Sequence, residues 1–354
     1  LHKWTCPNRK MSDFPTSSTP TPAPDHCDYG DWYPSFSIIP SIYVLAFLVG
    51  CLGNSLVLWV YLRQPDGIRI GDNSLIASLA LADLCFLVTL PLWATYTAMG
   101  YHWPFGQPLC QISSFLTALN MYASVFSLSM LSVERYWILT GRRHSGHQPS
   151  PRCPNRTLWI LVAVWVVAAV LALPGLLLRS VGEVELDPTS EDDPGSVVLS
   201  CQMNYSMLVG AELEEAEKDR AEVWWAAVLS LKSTLIGFLL PLVILLVCYC
   251  SLAPLLSRHF GHGPRPDRRR QRRLLRVIVT LVMAFFLCWM PLNVNKTVFI
   301  LLELGIVPYS CSLDQALLAA HPYATCLAYL NSCLNPLLYA ACDPAFRERC
   351  RATL

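Results

Sequence analysis

Seven blocks of apolar residues constrain the fold of this chain more than any other feature of its sequence. Each block is long enough to cross a hydrocarbon core about 30 Å thick, which takes roughly 20 helical residues. Only 14% of the 354 residues are charged, against about 25% in soluble domains. Buried helices of a large soluble protein would be shorter and more amphipathic. The blocks therefore predict seven membrane-spanning helices, over residues 38–62, 74–97, 109–139, 158–178, 223–253, 274–302 and 315–341.

The charged residues between these blocks form two sets that alternate along the chain. One set holds 18 acidic and 6 basic residues, and the other holds 18 basic and 6 acidic residues. Because Lys and Arg stay on the cytoplasmic side of a membrane protein, the basic set is predicted to lie inside the cell and the amino terminus outside it. The outer set is 1–37, 98–108, 179–222 and 303–314; the inner set is 63–73, 134–157, 254–273 with Arg276, and 342–354.

This topology predicts three parts of the chain. Residues 1–37 form an outer tail, residues 38–341 form the seven-helix domain, and residues 342–354 form a cytoplasmic juxtamembrane helix. The tail contains no apolar core for a cleavable signal, so the first span is expected to direct insertion.

Five of the 15 cysteines fall on the predicted outer side of the membrane, in the outer segments or at the outer end of a span, where disulfides persist. A bridge between Cys110, at the start of the third span, and Cys201 would hold the second outer loop over the bundle. Cys27 and Cys311 could then tie the tail to the seventh span, which leaves Cys6 without a partner. Spacing alone does not fix this connectivity.

Two positions are candidates for covalent modification. Asn204 begins Asn-Tyr-Ser, the one glycosylation sequon in the predicted outer segments. Cys350 lies just inside the membrane and is a candidate for palmitoylation.

Asp83 lies in the middle of the second span, where an ionisable group is costly and is a functional hypothesis by default. Carboxylate and amide oxygens are ligands for a small cation, but the same groups would also form a hydrogen-bonded network between helices. The sequence does not choose between these two roles. The polar residues that other spans place at matching depths are Asn54, Asn120, Ser124, Asn331 and Asn335.

Proline interrupts three of the predicted spans, and proline bends a helix because it removes a backbone hydrogen bond. Pro336 lies in NSCLNPLLY (331–339), Pro291 lies in CWMP (288–291), and Pro241 lies in the fifth span. Bent helices around a buried polar cluster are typical of a bundle with two alternative packings.

The third span ends in Glu134-Arg135-Tyr136, 25 residues after Cys110. Arg135 beside Glu134 could be an ion pair that breaks on activation, or an anchor on the cytoplasmic side. The inner segment RPDRRRQRRLLR (265–276) is strongly basic and is predicted to contact membrane lipids.

The ordered set of these motifs resembles the rhodopsin-like (class A) G-protein-coupled receptors over nearly the whole chain. The resemblance implies an all-α membrane protein at the plasma membrane, with seven transmembrane helices, a short amphipathic helix after the seventh, and no catalytic activity. The motifs are, in order, GCLGN (50–54), LALAD (79–83), WPFG (103–106), Cys110, ERY (134–136), Trp165, Pro241 with Tyr249, CWMP (288–291) and NSCLNPLLY (331–339).

The resemblance also implies two groups of functional residues. The residues that correspond to the family's sodium pocket, with sodium as an allosteric modulator and no other metal or cofactor, are Asp83, Asn120, Ser124, Asn331 and Asn335. The residues that correspond to its activation switch, which admits a G protein, are Glu134, Arg135, Tyr249, Phe285, Trp289, Pro336 and Tyr339.

Within that family the chain resembles the branch that binds basic peptides of the apelin and Elabela/Toddler type and couples to inhibitory G proteins. The stretches that support this are CDYGDW (27–32), TLPLWATYT (89–97), NMYASVF (120–126) and YLNSCLNPLLYAACDPAFR (329–347). Gly100 and His102 replace acidic residues of that branch, which predicts weaker apelin binding. The chain stops at Leu354 without a Ser/Thr-rich tail, which leaves arrestin recruitment open. The peptide contacts that the resemblance implies are Asp28, Asp31, Trp32, Tyr43, Trp93, Tyr101, Arg179, Lys296 and Tyr329.

Other functions fit seven spans less well. A pump or opsin would use Lys296 for a Schiff base, but this lysine lies near the outer end of the sixth span, where it is expected to snorkel or meet a ligand. The sequence has no metal-ligand spacing or nucleophile–base pair typical of an intramembrane enzyme. A peptide receptor that does not signal, and a class A receptor for a different ligand, remain alternatives. The acidic outer segments favour a cationic peptide.

Overall fold

The computed structural model describes residues 35–63, 70–144, 154–185, 197–209, 214–259 and 265–353. These residues form α-helices, one π-helical turn (Leu235–Leu239) and one β-hairpin. The strands are β1 (Arg179–Glu185) and β2 (Val197–Met203). The helices are α1 (Ser35–Leu62), α2 (Ile70–Leu87), α3 (Leu90–Ala98), α4 (Gly106–His144), α5 (Pro154–Leu177), α6 (Glu215–Thr234), α7 (Leu240–His259), α8 (Arg265–Glu303), α9 (Cys311–Cys342) and α10 (Pro344–Thr353).

Six stretches of these helices are long and apolar enough to cross a membrane, judged by length and composition. α2 and α3 together form one of them, and α6 continues through the π-helical turn into α7 to form another. α9 is the seventh helix of the bundle and packs against α1 and α8. The architecture is the predicted seven-transmembrane-helix bundle, with the predicted short helix, α10, after the seventh span.

The helices extend beyond the apolar blocks that predict them. The clearest case is the fifth span, predicted over 223–253, whose helix runs from Glu215 to His259. Glu214, Lys218 and Glu222 follow one another at intervals of four residues, a spacing that brings opposite charges together on a helix surface. The charged segment before the fifth span is therefore a helical extension of it.

Pro336 explains why Asn54 of α1 is buried against the apolar seventh helix. Proline has no N–H, so the carbonyl of Ser332, four residues earlier, lacks its helical donor. Asn54 of α1 donates its Nδ2–H to that carbonyl at 2.9 Å. Gly53 lies against the bend, where a Cβ would come within 2.7 Å of Pro336 Cβ. A side chain at Gly53 would therefore push α1 away from the carbonyl that Asn54 satisfies.

The β-hairpin covers one end of the bundle, called here the hairpin end. Val181 of β1 pairs with Cys201 of β2, and Cys201 forms a disulfide with Cys110 near the start of α4. This confirms the predicted bridge. The Trp103 N–H also donates to the Leu199 carbonyl at 2.7 Å. The disulfide and this hydrogen bond fix the hairpin over the helices.

α10 packs against the opposite end of the bundle through Phe346. This ring is buried, with its centre 6.2 Å from that of Tyr61 and 5.9 Å from that of Tyr339. The Arg349 guanidinium lies 5.4 Å from the Tyr61 ring. Cys350 packs against the same core, and burial raises the pKa of its thiol. Lipidation of Cys350 stays a prediction, and it requires the thiol to leave this contact.

Candidate binding cavity and polar core

A cavity of about 430 Å³ lies inside the bundle beneath the hairpin. Residues of all seven spans and of the hairpin line it, so its shape depends on how the helices pack. A volume of this size holds a drug-sized group or the end of a peptide. The cavity is lined by every predicted ligand contact that the structure describes, namely Tyr43, Trp93, Tyr101, Arg179, Lys296 and Tyr329. The other predicted contacts, Asp28, Asp31 and Trp32, lie outside the described residues.

Aromatic rings form the wall of the cavity next to α1, α3 and α9. The Tyr329 ring lies 5.5 Å from Tyr43 and 4.9 Å from Phe86, measured between ring centres. Trp93 lies 5.9 Å from Tyr96, again between ring centres. Tyr96 also lines the cavity, but it was not predicted as a ligand contact. The Tyr329–Phe86 and Trp93–Tyr96 contacts are edge-to-face, and contacts of this kind stabilise a rigid apolar surface.

Tyr101 has a backbone conformation that bulky residues rarely adopt. Its φ is 65°, in the left-handed region, and its N–H donates to the Tyr96 carbonyl at 2.8 Å to end α3. Burial raises the pKa of the Tyr101 phenol to about 12, so the hydroxyl stays protonated. Strained residues cluster at functional sites, and this one is held at the cavity wall.

Three cations line the cavity, and the described lining residues include no acidic side chain. Arg179 donates from Nη1 to the Cys201 carbonyl at 2.9 Å, and Lys296 lies near enough to repel it. Burial lowers the pKa of Arg179, but the ordinary pKa of an arginine lies so far above neutral pH that the side chain stays charged. The third cation is Lys232. The cavity therefore favours a ligand group that carries negative charge.

Gln107 holds β1 in position above the cavity. Its Nε2–H donates to the Arg179 carbonyl at 2.9 Å, and its Oε1 accepts the Val181 N–H at 2.7 Å. The side-chain amide thus pairs with the edge of β1 as a neighbouring strand would. The sequence carries no signal for this contact, since Gln107 and β1 are more than 70 residues apart.

Asp83 is fully buried, and amides from two other helices meet its carboxylate. Asn120 Nδ2–H donates to Oδ1 at 2.9 Å, and Asn335 Nδ2–H donates to Oδ2 at 2.7 Å. Asn120 also lies 3.3 Å from the Ser124 hydroxyl, to which it donates. The structure therefore brings together four of the five residues predicted for this site. No Lys or Arg of the described chain forms an ion pair with the carboxylate.

The fifth residue, Asn331, is buried in α9, but its Oδ1 accepts no hydrogen bond from the described residues. Its neighbour Ser332 is the one that enters the cluster, by donating to Asn120 Oδ1 at 3.2 Å. Asn331 and Ser332 lie four and three residues before Asn335, and both spacings place two residues on one helix face. Sequence reasoning therefore could not choose between them.

An aromatic stack leads from the cavity floor toward the middle of the bundle. Trp289 lines the cavity, and its ring stacks on Phe285 with 5.9 Å between centres. Phe286 lies 5.4 Å from Phe285 and 5.2 Å from Phe238 of the π-helical turn. This contact links the floor to the irregular part of the fifth span.

A polar contact joins the fifth and sixth spans at the same level. Thr234 Oγ1–H donates to Asn293 Oδ1 at 3.1 Å, and Asn293 Nδ2–H donates to the Trp289 carbonyl at 2.9 Å. Both side chains are buried, and the sequence analysis missed both.

The remaining predicted switch residues lie toward the α10 end of the bundle. The Tyr249 hydroxyl is 3.0 Å from the Ser132 hydroxyl, which ties the fifth span to the third. Tyr339 is buried beside Phe346. Glu134 is half-buried in α4, and the structure does not describe the side chain of Arg135. The Glu134–Arg135 ion pair stays a prediction.

Two predictions concern residues of the segments that were predicted to lie outside the cell. Asn204 is exposed just after β2, and its Oδ1 accepts the Ser206 N–H at 2.9 Å. Its glycosylation stays a prediction. Cys311 is disulfide-bonded, but Cys27 lies outside the described residues, so the Cys27–Cys311 pairing stays a prediction.

A bundle of seven membrane-spanning helices, with a disulfide-tethered hairpin over a central cavity, is the architecture of a class of membrane receptors. Residues 53–339 match the family of seven-transmembrane receptors (rhodopsin family). The chain belongs to this family, whose members are receptors and not enzymes.

Individual relatives narrow the comparison. The chain is 46% identical to apelin receptor B of Danio rerio over 93% of this chain and 86% of that protein. It is 40% identical to the apelin receptor of Xenopus tropicalis over 98% of this chain and 87% of that protein. It is 32% identical to the type-1 angiotensin II receptor of Canis lupus familiaris over 88% of this chain and 79% of that protein. By name, these relatives are receptors for apelin and for angiotensin II.

Proposed function

We propose that this protein is a plasma-membrane receptor for a cationic peptide of the apelin or Elabela/Toddler type. The hairpin end faces outside the cell, and peptide binding activates a heterotrimeric G protein of the inhibitory class. The single observation that carries the proposal is the cavity, which combines aromatic walls with Arg179, Lys232 and Lys296 and has no acid among its described lining residues.

Such a cavity fits the carboxyl end of a peptide. The free carboxylate of a last residue would meet Arg179 and Lys296, while an apolar or aromatic side chain would meet Tyr43, Trp93 and Tyr329. The volume of about 430 Å³ suits a few residues and not a whole peptide. The peptide therefore enters with its carboxyl end first.

The basic part of the ligand would remain near the acidic outer segments. Residues 179–222 carry 12 acidic residues and three basic residues. Glu214, Glu217 and Asp219 are exposed at the start of α6. A cationic peptide with an anionic end is therefore complementary both to the acidic outer segments and to the cationic cavity. A peptide whose charges all have one sign would fit only one of these two regions.

We expect the acids of the α6 extension to speed association. Changing Glu214, Glu217 and Glu222 to Gln and Asp219 to Asn should slow association of a basic peptide by about threefold to tenfold at low salt. Dissociation should change little, because these groups steer the peptide and do not hold it. Surface plasmon resonance at about 50 and about 150 mM salt measures both rates. Glu348→Gln, at an exposed acid on α10, is the control. Faster dissociation with unchanged association would instead make these acids direct contacts.

We expect Gln107 to act as a positioning residue for Arg179. Gln107→Ala removes two hydrogen bonds to β1 and should weaken peptide binding by about threefold to tenfold. Gln107→Met keeps the length of the side chain, removes both hydrogen bonds and adds no charge, so its affinity should match that of Gln107→Ala. Competition binding at matched surface expression measures the effect. Affinity within twofold of wild type for Gln107→Ala would show that the disulfide alone positions Arg179.

G-protein dissociation in living cells tests the proposed function. Apelin-type and Elabela-type peptides should each separate the subunits of an inhibitory G protein in cells that express the wild-type chain, and Lys296→Gln should reduce the response. Peptide binding without dissociation would make this a peptide-binding receptor that does not signal. No binding of either peptide would leave a class A receptor for a different ligand.

A further inference from the structure

Lys232 occupies a wall of the cavity that the proposed carboxylate contact does not use. Its Nζ–H donates to the Leu171 carbonyl at 2.8 Å and lies 5.7 Å from the centre of the Tyr122 ring. These contacts are on α5 and α4, whereas Arg179 and Lys296 lie on the hairpin and on α8. Lys232 is therefore a separate cationic point of the same cavity.

The protein satisfies this ammonium only in part. A lysine ammonium has three donors, and the Leu171 carbonyl uses one of them. Lys232 is half-buried and forms no ion pair with a described residue. Lys232 is part of α6, so its side chain cannot carry the charge far from the cavity. A half-buried charge without a counter-ion costs free energy, which an arriving anion would offset.

Ser114 adds a second buried polar group where α4 meets α5, the two helices that Lys232 also contacts. Its side chain is only 7% exposed and lines the cavity, and its hydroxyl has no hydrogen-bond partner among the described residues. Gly175 brings α5 against this turn of α4, since a Cβ there would lie 3.0 Å from the Ser114 carbonyl oxygen. A buried hydroxyl without a partner is costly until a ligand atom reaches it.

We propose that Lys232 and Ser114 form a second anion-binding point, which takes a carboxylate on the side chain of the ligand's last residue. The inference rests on the proposed function, in which the chain-end carboxylate binds Arg179 and Lys296. One carboxylate alone leaves this cavity with excess positive charge. Two carboxylates on the end of the peptide that enters the cavity bring one negative charge to Arg179 and Lys296 and another to Lys232. The preferred ligand is therefore a peptide or aromatic acid with a dicarboxylate end.

A matched pair of peptides tests this point. One is an apelin-type peptide that ends in phenylalanine, and the other ends in para-carboxyphenylalanine. On wild type the second should bind about tenfold more tightly than the first. Lys232→Gln should reduce this gain to within about twofold, while Lys232→Arg should keep most of it. Glutamine removes the charge and keeps a hydrogen-bond donor, although its side chain is one bond shorter than that of lysine. Ser114→Ala should remove a smaller part of the gain.

The outcomes separate this inference from the proposed function. If the parent peptide binds but the gain is absent in wild type or unchanged in Lys232→Gln, the second point is wrong and the proposed function stands. If neither peptide binds wild type, the proposed function fails. The second point is then tested by the melting temperature of the purified receptor with terephthalate and with benzoate. Greater stabilisation by terephthalate in wild type but not in Lys232→Gln supports it; any other result overturns it.

Discussion

Lys296→Gln and Arg179→Gln are each expected to weaken binding of a peptide with a free carboxyl end by about 30-fold to 300-fold. The same changes should weaken binding of the peptide's carboxyl amide by less than about fivefold. A carboxylate between two cations in a cavity without described acidic residues is largely desolvated, and removing one partner of such a pair costs about 2–5 kcal/mol. Saturation binding with the two peptides, on each variant and on wild type, gives the six affinities that are needed.

A matched substitution outside the cavity, which also removes one positive charge, controls for the long-range electrostatic effect of changing the protein's net charge. Lys218→Gln removes a lysine from the α6 extension, and it should affect the acid and the amide peptides equally. If Lys296→Gln and Arg179→Gln also weaken both peptides equally, their side chains shape the cavity without meeting a carboxylate. The carboxyl-first orientation would then be wrong.

Asp83→Asn is expected to abolish the effect of sodium on agonist affinity. In wild type, replacing a bulky organic cation by sodium at about 150 mM should lower agonist affinity by at least about fivefold. A cation that binds one packing better shifts the population toward it and is coupled reciprocally to the agonist. Competition binding in the two salts, at equal ionic strength, measures this factor.

The groups around Asp83 fit a hard cation. Its carboxylate is fully buried, and the hydroxyls of Ser124 and Ser332 lie in the same hydrogen-bonded cluster. Oxygen ligands of this kind suit sodium. Asp314→Asn, at a second buried acid near the hairpin end of α9, is the control and should leave the sodium effect intact. Unchanged sodium sensitivity in Asp83→Asn would leave this cluster a packing role only.

Hydropathy predicted the bundle because a membrane-spanning helix must satisfy its backbone internally and present apolar side chains to lipid. That requirement acts on each apolar block separately, so each span can be predicted from its own stretch of sequence. The helix ends were less predictable, as the polar start of α6 at Glu215 illustrates. Local charge spacing stabilises that turn, and hydropathy does not detect it.

The cavity was predictable only in part. The resemblance to known receptors supplied Tyr43, Trp93 and Tyr329, and these rings do line it. The sequence shows Lys232 only as a charge within a span. Its place in the cavity could not be predicted, because its contacts come from α4 and α5, more than 60 residues away. Ser332 was missed for a related reason: its partner Asn120 lies 212 residues earlier. Groups that meet across the bundle leave no pattern in a single sequence.

Photo-crosslinking with two forms of one peptide tests most directly which end of the ligand enters the cavity. One form carries a benzophenone side chain at its last residue, and the other carries it at its first residue. We expect the last-residue probe to label the cavity wall, at or near Trp289 and Tyr329, and the first-residue probe to label residues outside the cavity. Labelling of the cavity wall by the first-residue probe, with none by the last-residue probe, would contradict carboxyl-first binding.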